Sequence, residues 1–347
     1  MKHQQISFIY WFAYYNVDSP AVRYRGKYPL DYCKKKLGID SYFVMPGYTL
    51  KHILLFIRAY LSALINRKPD SLIVIQRVQS DFIYASLLRF LVRIRRKDTV
   101  YDIDDADYLV SNLANIYYFA THCEHVSAGS EQIRQHLKQY NSNTILITTP
   151  TADLHISKQE RQNTFTIGWI GAYGPEHASG LYELLYPALC LLAFPCTLIL
   201  IGVNEESDRN SIIHYFQNSP LLQIEMPQGI DWNNEEDLQK RIAGFDIGIA
   251  TLSSSPYQLS KSGIKVKQYL NNGIPVLCNN LPENNRFVVD GYNGFLCSNV
   301  HEFQKRIHEF HTMSDEDYFK FSANAKKSSE HFDHGYFFRA LNEIKKK

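Results

Sequence analysis

The stretch that decides the fold is FDIGIATL at 245–252, followed after a polar loop by KSGIKVKQYLNNGIPV at 261–276. The first segment is apolar and β-branched, as expected of a buried strand. The spacing of the second predicts a helix from near Ser262 to Gly273, and Pro275 begins the next strand. A strand, a crossover helix and a further strand in this order indicate a parallel βαβ unit.

The same alternation runs through the rest of the chain. Short β-branched or aromatic runs alternate with segments that carry apolar residues at helical spacing, which predicts parallel sheets covered by helices. The pattern restarts after a polar, turn-rich stretch at 150–163, which indicates two successive units. The predicted strands are 6–11, 41–45, 72–76, 99–103, 144–147, 165–170, 197–201, 222–226, 245–250 and 274–278.

We therefore expect an α/β fold of two doubly wound domains, which the length of 347 residues allows. The predicted N-terminal domain spans 1–155 and the C-terminal domain spans 164–330. A helical pattern at 331–347 is a candidate to pack back on the first domain. Ligands of such sheets bind at the carboxyl ends of the strands, so two domains facing each other predict a small-molecule cleft.

The composition is that of a globular protein, with 45% hydrophobic and 21% charged residues. A formal net charge of +2 argues against polyanion binding, so no nucleic-acid partner is expected. None of the six cysteines forms a C-x-x-C pair, which indicates free thiols in a reducing compartment. The longest apolar stretch, 52–65, contains Arg58 and is shorter than the roughly 20 residues of a membrane span. We expect a cytoplasmic protein, with peripheral contact to the inner membrane face as an alternative.

Four polar side chains recur on one side of the helix predicted near 262–273. Lys261, Lys265, Gln268 and Asn272 follow the spacing i, i+4, i+7 and i+11. A helix N-terminus binds anions through its free N–H groups, and two lysines beside it predict a diphosphate site. The alternative is a pair of solvated lysines on an exposed helix face.

The stretch 260–276 resembles the nucleotide-sugar half of retaining glycosyltransferases of the GT-B fold, particularly the large family 4 and its relatives. The pattern there is Gly-Lys-x-Gly-hydrophobic-Lys-x-x-Gln-Tyr-x-x-x-Gly-x-Pro-Val, and here Ser260 replaces the first glycine while the other named positions match. Other stretches are similar to family segments in the same order, so the resemblance covers nearly the whole chain. They are YDIDDA at 101–106, VSAGSE at 126–131, FTIGWIG at 165–171 and RFVVDGYNGFL at 286–296.

This resemblance implies a GT-B fold, in which two Rossmann-like domains face a cleft. It implies a transferase that moves a sugar from a nucleotide-sugar donor, with UDP as the nucleotide, to an acceptor hydroxyl. It also implies retention of configuration, no metal or other cofactor, and a glycan or lipid-linked acceptor in the synthesis of surface glycans or glycolipids. The donor-binding residues it implies are Gly171, Lys261, Lys265, Gln268 and Asn285. Lys265 is also a candidate catalytic residue, because stabilising the departing diphosphate is the main electrostatic task.

The sequence departs from the family pattern in two places. Many members carry two glutamates where this chain has Ser260 and Gln268. Gln268 can still bond a ribose hydroxyl, but Ser260 cannot replace a carboxylate that orients the donor sugar. The basic residues that usually follow the first strand of the second domain are absent from 172–177. The alternatives left open are a non-catalytic sugar-nucleotide-binding protein and a GT-B nucleotide-sugar epimerase.

A group of aspartates, in DIDD at 102–105, follows a predicted strand of the first domain. Asp104 and Asp105 are predicted to be catalytic residues on the acceptor side. One alternative is a structural role, such as capping the helix expected after Ala106. Another is metal ligation, because D-x-D after a strand is also the metal-binding signature of the GT-A glycosyltransferase fold.

Two basic segments complete the candidates. Arg23 and Arg25 stand in a predicted polar loop, where they would approach the donor phosphate or an anionic acceptor, and surface arginines are the alternative. The helix predicted at 81–95 has an apolar side and a basic side, which predicts either contact with an anionic membrane or an ordinary surface helix. Its basic residues and those just beyond it are Arg89, Arg93, Arg96 and Lys97.

Overall fold

A computed structural model describes residues 6–68, 70–78, 82–110, 113–152, 154–158, 160–161 and 163–346. Contacts divide the chain into two compact units, referred to below as unit 1 and unit 2. Unit 1 comprises 1–150, 260–262 and 332–347, and unit 2 comprises 151–259 and 263–331. The contacts therefore place the break at 150, against predicted domain limits of 155 and 164, and they assign the C-terminal helix to unit 1.

Unit 1 is built on a six-stranded parallel sheet. Its strands are β1 (Phe8–Ala13), β2 (Asp40–Val44), β3 (Ser71–Gln76), β4 (Thr99–Ile103), β5 (His125–Ala128) and β6 (Thr144–Leu146). They lie in the order β2-β1-β3-β4-β5-β6. The central strands β1, β3 and β4 are buried along their whole length, which explains why they read as almost unbroken apolar runs.

Unit 2 contains a second parallel sheet of six strands. They are β7 (Phe165–Ile170), β8 (Cys196–Ile201), β9 (Leu222–Glu225), β10 (Ile247–Ala250), β11 (Val276–Asn279) and β12 (Gly294–Cys297). The spatial order is β12-β11-β10-β7-β8-β9. The chain thus forms an α/β fold of two doubly wound units, as the strand and helix pattern predicts.

Helices cover both faces of the sheet in unit 1. The α-helices are α1 (Tyr28–Tyr32), α2 (Leu50–Leu64), α3 (Phe82–Arg95), α4 (Leu113–His122), α5 (Glu131–Lys138), α6 (Pro175–Gly180), α7 (Tyr186–Cys190), α8 (Glu206–Tyr215), α9 (Glu235–Ala243), α10 (Pro256–Leu259), α11 (Ile264–Asn271), α12 (Val300–Thr312), α13 (Asp315–Ser328) and α14 (His334–Lys346). Helices α2 to α5 share one core with β1, β3 and β4, and α14 packs on the opposite face through Phe337 and Leu341. Wider π-helical turns occupy Val22–Lys27, Cys33–Leu37 and Leu181–Leu185. Tighter 3₁₀ turns occupy Arg96–Asp98, Asp107–Leu109, Asn284–Arg286 and Ser329–His331.

The predicted strands at 99–103 and 165–170 agree with β4 and β7 in both bounds. The helical pattern predicted at 331–347 begins as an α-helix at His334, and Asp333 caps it. Its carboxylate accepts a hydrogen bond from Tyr336 N at 2.5 Å at the start of α14. In the part of the chain that the structure describes, no helix is both long and apolar enough to cross a membrane.

Candidate active site

The turn after β7 brings Gly171 and Lys265 together in unit 2. Lys265 stands on the first turn of α11, and its Nζ lies 4.3 Å from the centre of the Trp169 ring. A Cβ atom at Gly171 would lie 2.6 Å from Lys265 Cε, and the φ of Gly171 is +155°. Glycine at this position therefore admits the lysine side chain to the carboxyl end of β7, the edge where parallel sheets bind ligands.

Backbone and side-chain bonds hold this edge of the sheet in place. Gly171 N donates to Ile201 O at 3.0 Å, which joins the ends of β7 and β8. The buried Tyr269 hydroxyl accepts from Ile170 N and donates to Ile249 O, both at 3.0 Å, which joins β7 to β10. Burial raises the pKa of Tyr269, so its hydroxyl keeps the proton that the second bond requires. The Tyr269 bonds thus tie α11, the helix that carries Lys265, to β7 and β10.

Lys261 does not share a helix face with Lys265, contrary to the predicted spacing. Helix α11 begins only after Gly263, whose left-handed backbone (φ +65°) breaks any helical continuity with the preceding residues. The i, i+4 relation between the two lysines is therefore lost. Residues 260–262 belong to unit 1, where Lys261 Nζ lies 2.8 Å from Asp105 Oδ1.

Gln268 and Asn285 both lie in unit 2 but differ in exposure. Gln268 is buried on α11, one turn after Lys265, and its backbone carbonyl accepts from Asn272 Nδ2 at 2.8 Å. Asn285 is exposed in a 3₁₀ turn, where its Nδ2 donates to Asn280 Oδ1 at 2.8 Å. The structure brings Gln268 to the helix that carries Lys265 and leaves Asn285 in a surface turn. Their contact with a donor stays a prediction.

Three carboxylates of unit 1 converge on the guanidinium of Arg77, directly after β3. Arg77 Nε and Nη2 donate to Asp107 at 2.8 and 2.6 Å. Arg77 Nη1 lies 3.0 Å from Asp105 and 3.5 Å from Asp104. Since β3 and β4 are neighbours, the residue after one strand meets the residues after the other. Arg77 adopts a φ of +53°, a conformation that is uncommon outside glycine and that concentrates at functional sites.

The two neighbouring carboxyl groups have different proton affinities. Burial raises the pKa of Asp104 to about 6, although Arg77 acts in the opposite direction. Burial also acts to raise the pKa of Asp105, but Arg77 and Lys261 outweigh it and hold that pKa below its usual value. Asp105 is therefore charged at neutral pH, whereas Asp104 takes up a proton near pH 6. Neighbouring groups whose pKa values are pushed apart are typical of acid–base sites.

The structural alternative for the aspartates, a helix cap, is not observed. The 3₁₀ turn Asp107–Leu109 follows Ala106 without a side-chain cap. Within the described ranges, no group of three or more His, Cys, Asp or Glu side chains is arranged to hold a metal ion. Asp104 and Asp105 contact the cation of Arg77 instead.

Arg25 is wholly buried, so the prediction that it reaches a phosphate or an acceptor from a polar loop is wrong. The segment is helical, and Arg25 Nε and Nη2 donate to Asp102 at 2.8 and 2.5 Å. Nη1 donates to Ile147 O at 2.8 Å and Nη2 donates to Ser127 Oγ at 2.9 Å. These bonds occupy the guanidinium inside unit 1, where it joins β4, β5 and the segment after β6.

Arg23 is buried as well, with 3% of its surface exposed. Its Nη1 donates to the carbonyls of Val17 and Asp18 at 2.6 and 2.9 Å. The expectation of an arginine in an exposed polar loop is therefore wrong here too, because the side chain turns back to hold the loop that precedes it.

Sequence reasoning missed three residues of these sites, Arg77, Asp107 and Trp169. Arg77 directly follows a predicted strand, and a charged residue at a strand's carboxyl end is a signal that could have identified it. Trp169 stands in the predicted strand before Gly171, where its apolar character suggested only a core residue. No feature of the sequence indicates that its ring faces the Lys265 ammonium.

The comparisons with known proteins agree with this architecture. Residues 230–344 match the family described as "Glucosyltransferase 3-like, C-terminal domain". No curated protein gives a sequence match. Solved structures similar to this chain include HepE from Anabaena in complex with UDP and glucose, which is 16% identical with a TM-score of 0.65 over 97% of this chain and 98% of that one. A glycosyltransferase from Rickettsia africae is 14% identical with a TM-score of 0.70 over 98% of each chain. Sucrose-phosphate synthase from Thermosynechococcus elongatus is 11% identical with a TM-score of 0.68 over 97% of this chain and 98% of that one.

These similarities define the class of the fold. The chain has the GT-B glycosyltransferase fold, with two Rossmann-like units. Its residues 230–344 are similar to the C-terminal domain of glucosyltransferase 3-like proteins. The predicted resemblance to GT-B glycosyltransferases is confirmed at this level, while the link to family 4 and retention of configuration stay predictions.

Proposed function

We propose that this protein is a glycosyltransferase that moves a sugar from a UDP-sugar to the hydroxyl of a glycan or lipid-linked acceptor, with retention of configuration. The observation that carries the proposal is the match of residues 230–344 to a glucosyltransferase-like domain that contains Lys265 and its helix. HepE, which has the same fold, is bound to UDP and glucose in its crystal structure.

Lys265 is the residue proposed to hold the donor diphosphate. Its ammonium lies over Trp169 beside the Gly171 turn, at the carboxyl end of β7 where parallel sheets bind ligands. When the sugar–phosphate bond breaks, negative charge grows on the departing diphosphate, and a cation fixed in advance stabilises that charge. The proposed partners of the nucleotide are Gln268 on the same helix and Asn285.

The acceptor side of the proposal rests on Asp104 and Asp105. Asp105 is held charged by Arg77 and Lys261, while the higher pKa of Asp104 makes it the better partner for a hydroxyl proton. In a retaining transfer, the departing phosphate can accept the proton of the acceptor hydroxyl. If it does, the proposed role of Asp104 is to orient that hydroxyl through a hydrogen bond. Lys261, paired with Asp105, is then a second cation for the transfer.

Turnover with a panel of nucleotide sugars tests the proposal. The expected result is release of UDP, with the sugar either transferred to an acceptor or slowly hydrolysed. Quantification of the released nucleotide and the mass of the product measure this. An epimerised donor would identify an epimerase instead. Donor binding without any turnover would identify a non-catalytic binding protein, which the absence of a carboxylate at Ser260 favours.

Replacing Lys265 by alanine tests the proposed diphosphate contact. Charge-assisted hydrogen bonds contribute about 1.5–3 kcal/mol, so UDP binding should weaken roughly 10–150-fold in a titration calorimetry experiment. Lys240→Ala is the matched control, because Lys240 is an exposed lysine on α9 of the same unit. Equal UDP affinity of folded Lys265→Ala and wild-type protein would remove the assignment.

A further inference from the structure

Helix α2 presents an apolar stripe to solvent. Leu50, Leu54, Ile57 and Leu61 recur at helical spacing, and their exposed fractions are 71%, 56%, 45% and 50%. The opposite side of the helix is anchored in the core of unit 1 through residues such as Ala59 and Ala63. Apolar residues therefore occupy the solvent-facing side of α2 as well as its core-facing side.

Helix α3 continues the same surface. Ile83, Leu87, Phe90 and Ile94 form its outward stripe, with exposed fractions of 71%, 37%, 50% and 55%. The two helices are neighbours, because Tyr60 of α2 donates its hydroxyl hydrogen to Leu87 O of α3 at 3.1 Å. We call the two stripes together the α2–α3 apolar face. With Ile53, Ile65 and Phe82, it accounts for eleven of the twenty-six exposed large apolar side chains among the described residues.

The charges on the two helices of the α2–α3 apolar face have one sign. The chain has no acidic residue from 41 to 69 or from 82 to 97. Seven basic residues on or just beyond the two helices are exposed. They are Lys51, Arg58, Arg67, Lys68, Arg93, Arg96 and Lys97.

Some residues of the basic cluster predicted on and just after α3 point away from the α2–α3 apolar face. Arg89 lies 4.4 Å from the Tyr118 ring centre, and Arg93 Nε donates to the Tyr118 hydroxyl at 3.1 Å, so both turn toward α4. Arg96 lies 3.5 Å from Glu124. The predicted basic side of 81–95 is therefore turned partly toward α4. Further exposed positive charge stands on α2 and just after it, at Lys51, Arg58, Arg67 and Lys68. Membrane contact of this helix stays a prediction. Asp81 lies outside the described residues.

We propose that the α2–α3 apolar face docks on a bilayer surface that contains anionic lipids. A monomer rarely exposes so many adjacent apolar side chains without a partner. A second copy of this chain is a poor partner, because a two-fold contact pairs a patch with itself and would bring the basic residues together. Anionic headgroups neutralise those residues, while the apolar stripes enter the boundary between headgroups and acyl chains.

Vesicle sedimentation with the full chain tests this docking surface. Wild-type protein should pellet with phosphatidylglycerol–phosphatidylcholine vesicles and far less with phosphatidylcholine alone. Each basic residue near such a surface contributes about fivefold to the partition coefficient, so Lys51→Glu combined with Arg58→Glu should lower binding by at least about tenfold. Leu54→Ser combined with Phe90→Ser should lower vesicle binding by a similar factor, because the α2–α3 apolar face loses two of its apolar side chains.

The matched controls lie in unit 2. Ile213 and Lys305 are exposed there, and Ile213→Ser combined with Lys305→Glu should bind vesicles like wild type. Thermal unfolding of every variant checks that folding is intact, and UDP binding is measured separately, so failure of docking is distinguishable from failure of the proposed activity. Equal binding of wild type to neutral vesicles, or no loss in either double variant, would overturn the proposal. A dimer that both double variants dissociate would identify a second copy as the partner and also overturn it.

Discussion

Gly171 and Lys265 show how one missing side chain sets the position of a charge. The lysine passes where a Cβ atom of residue 171 would stand, 2.6 Å from Lys265 Cε. Its ammonium then rests against Trp169, whose ring face attracts a cation. The combination places a positive charge at the carboxyl end of β7 without help from the arginine and lysine that the resemblance leads one to expect at 172–177.

Gly171→Ala should therefore weaken UDP binding by displacing Lys265. The added Cβ also meets an unfavourable backbone conformation at φ +155°. We expect the UDP affinity of Gly171→Ala, measured by calorimetry, to lie within about tenfold of the affinity of Lys265→Ala. Gly174→Ala is the control, because Gly174 has extended backbone with φ 176° and open space around its Cβ position. Equal effects of the two alanines would contradict the steric argument.

Asp104 and Asp105 should affect stability in opposite directions with pH. The pKa of Asp104 is raised to about 6, so its contribution is fully present below about pH 4 and is lost as the pH rises through 6. The pKa of Asp105 is lowered, so its contribution is present above about pH 4 and is lost in more acidic solution. Between pH 4 and 7, the free energy of unfolding of Asp104→Asn should rise relative to wild type in urea titrations. Asp105→Asn should be less stable than wild type at pH 7, and a parallel pH dependence of the two variants would contradict this assignment.

At the scale of elements, α14 joins the end of the chain to the N-terminal unit. Phe337 and Leu341 enter the core on the face of the sheet opposite α2 to α5. His334 begins the helix and is almost fully buried, with its ring centre 5.8 Å from that of Tyr32. Burial lowers the pKa of His334 to about 4, while nearby Asp31 acts in the opposite direction.

Packing of α14 should therefore weaken in mild acid. A histidine whose pKa is lowered by folding contributes stability above its ordinary pKa near 6.5 and loses it as the pH falls toward 4. The loss amounts to about 3 kcal/mol of unfolding free energy, because each unit of pKa corresponds to 1.36 kcal/mol. His334→Phe keeps an aromatic ring and cannot bind a proton, so its stability relative to wild type should increase from pH 7 to pH 4. An unchanged difference across this range would show that His334 is not buried in its neutral form.

At the scale of the whole molecule, each unit carries cations among the residues proposed for the chemistry. Lys265 belongs to unit 2, whereas Arg77 and Lys261 stand among the carboxylates of unit 1. We predict that sugar transfer or hydrolysis survives treatment with EDTA, because the proposed contacts with lysine and helix N–H groups would balance the diphosphate charge. Initial rates with and without EDTA provide the measurement. Complete loss of activity that Mn²⁺ restores would return Asp102 and Asp104 to the role of metal ligands.

The sequence by itself determined the α/β class of the fold and ten of the twelve strands, while β5 and β12 were not predicted. Strands such as 99–103 and 165–170 could be predicted because a strand buried on both faces needs an unbroken apolar run. The helix after β10 could be predicted because its apolar spacing and its ending at Gly273 are local properties. The resemblance named Gly171 and Lys265 as donor-binding candidates, but their close approach is known only from the structure.

Only the tertiary structure decided which charges meet and which apolar faces stay outside. Arg25 looked like a loop residue, but its partner Asp102 is 77 positions away and is brought close by the sheet. Arg77 reaches Asp104, Asp105 and Asp107 because β3 and β4 are adjacent, and that order is a property of the assembled sheet. The stripe on α2 carries the same pattern as a core-facing helix side. Periodicity reports that one side is apolar, but the direction of that side depends on the packing of the other elements.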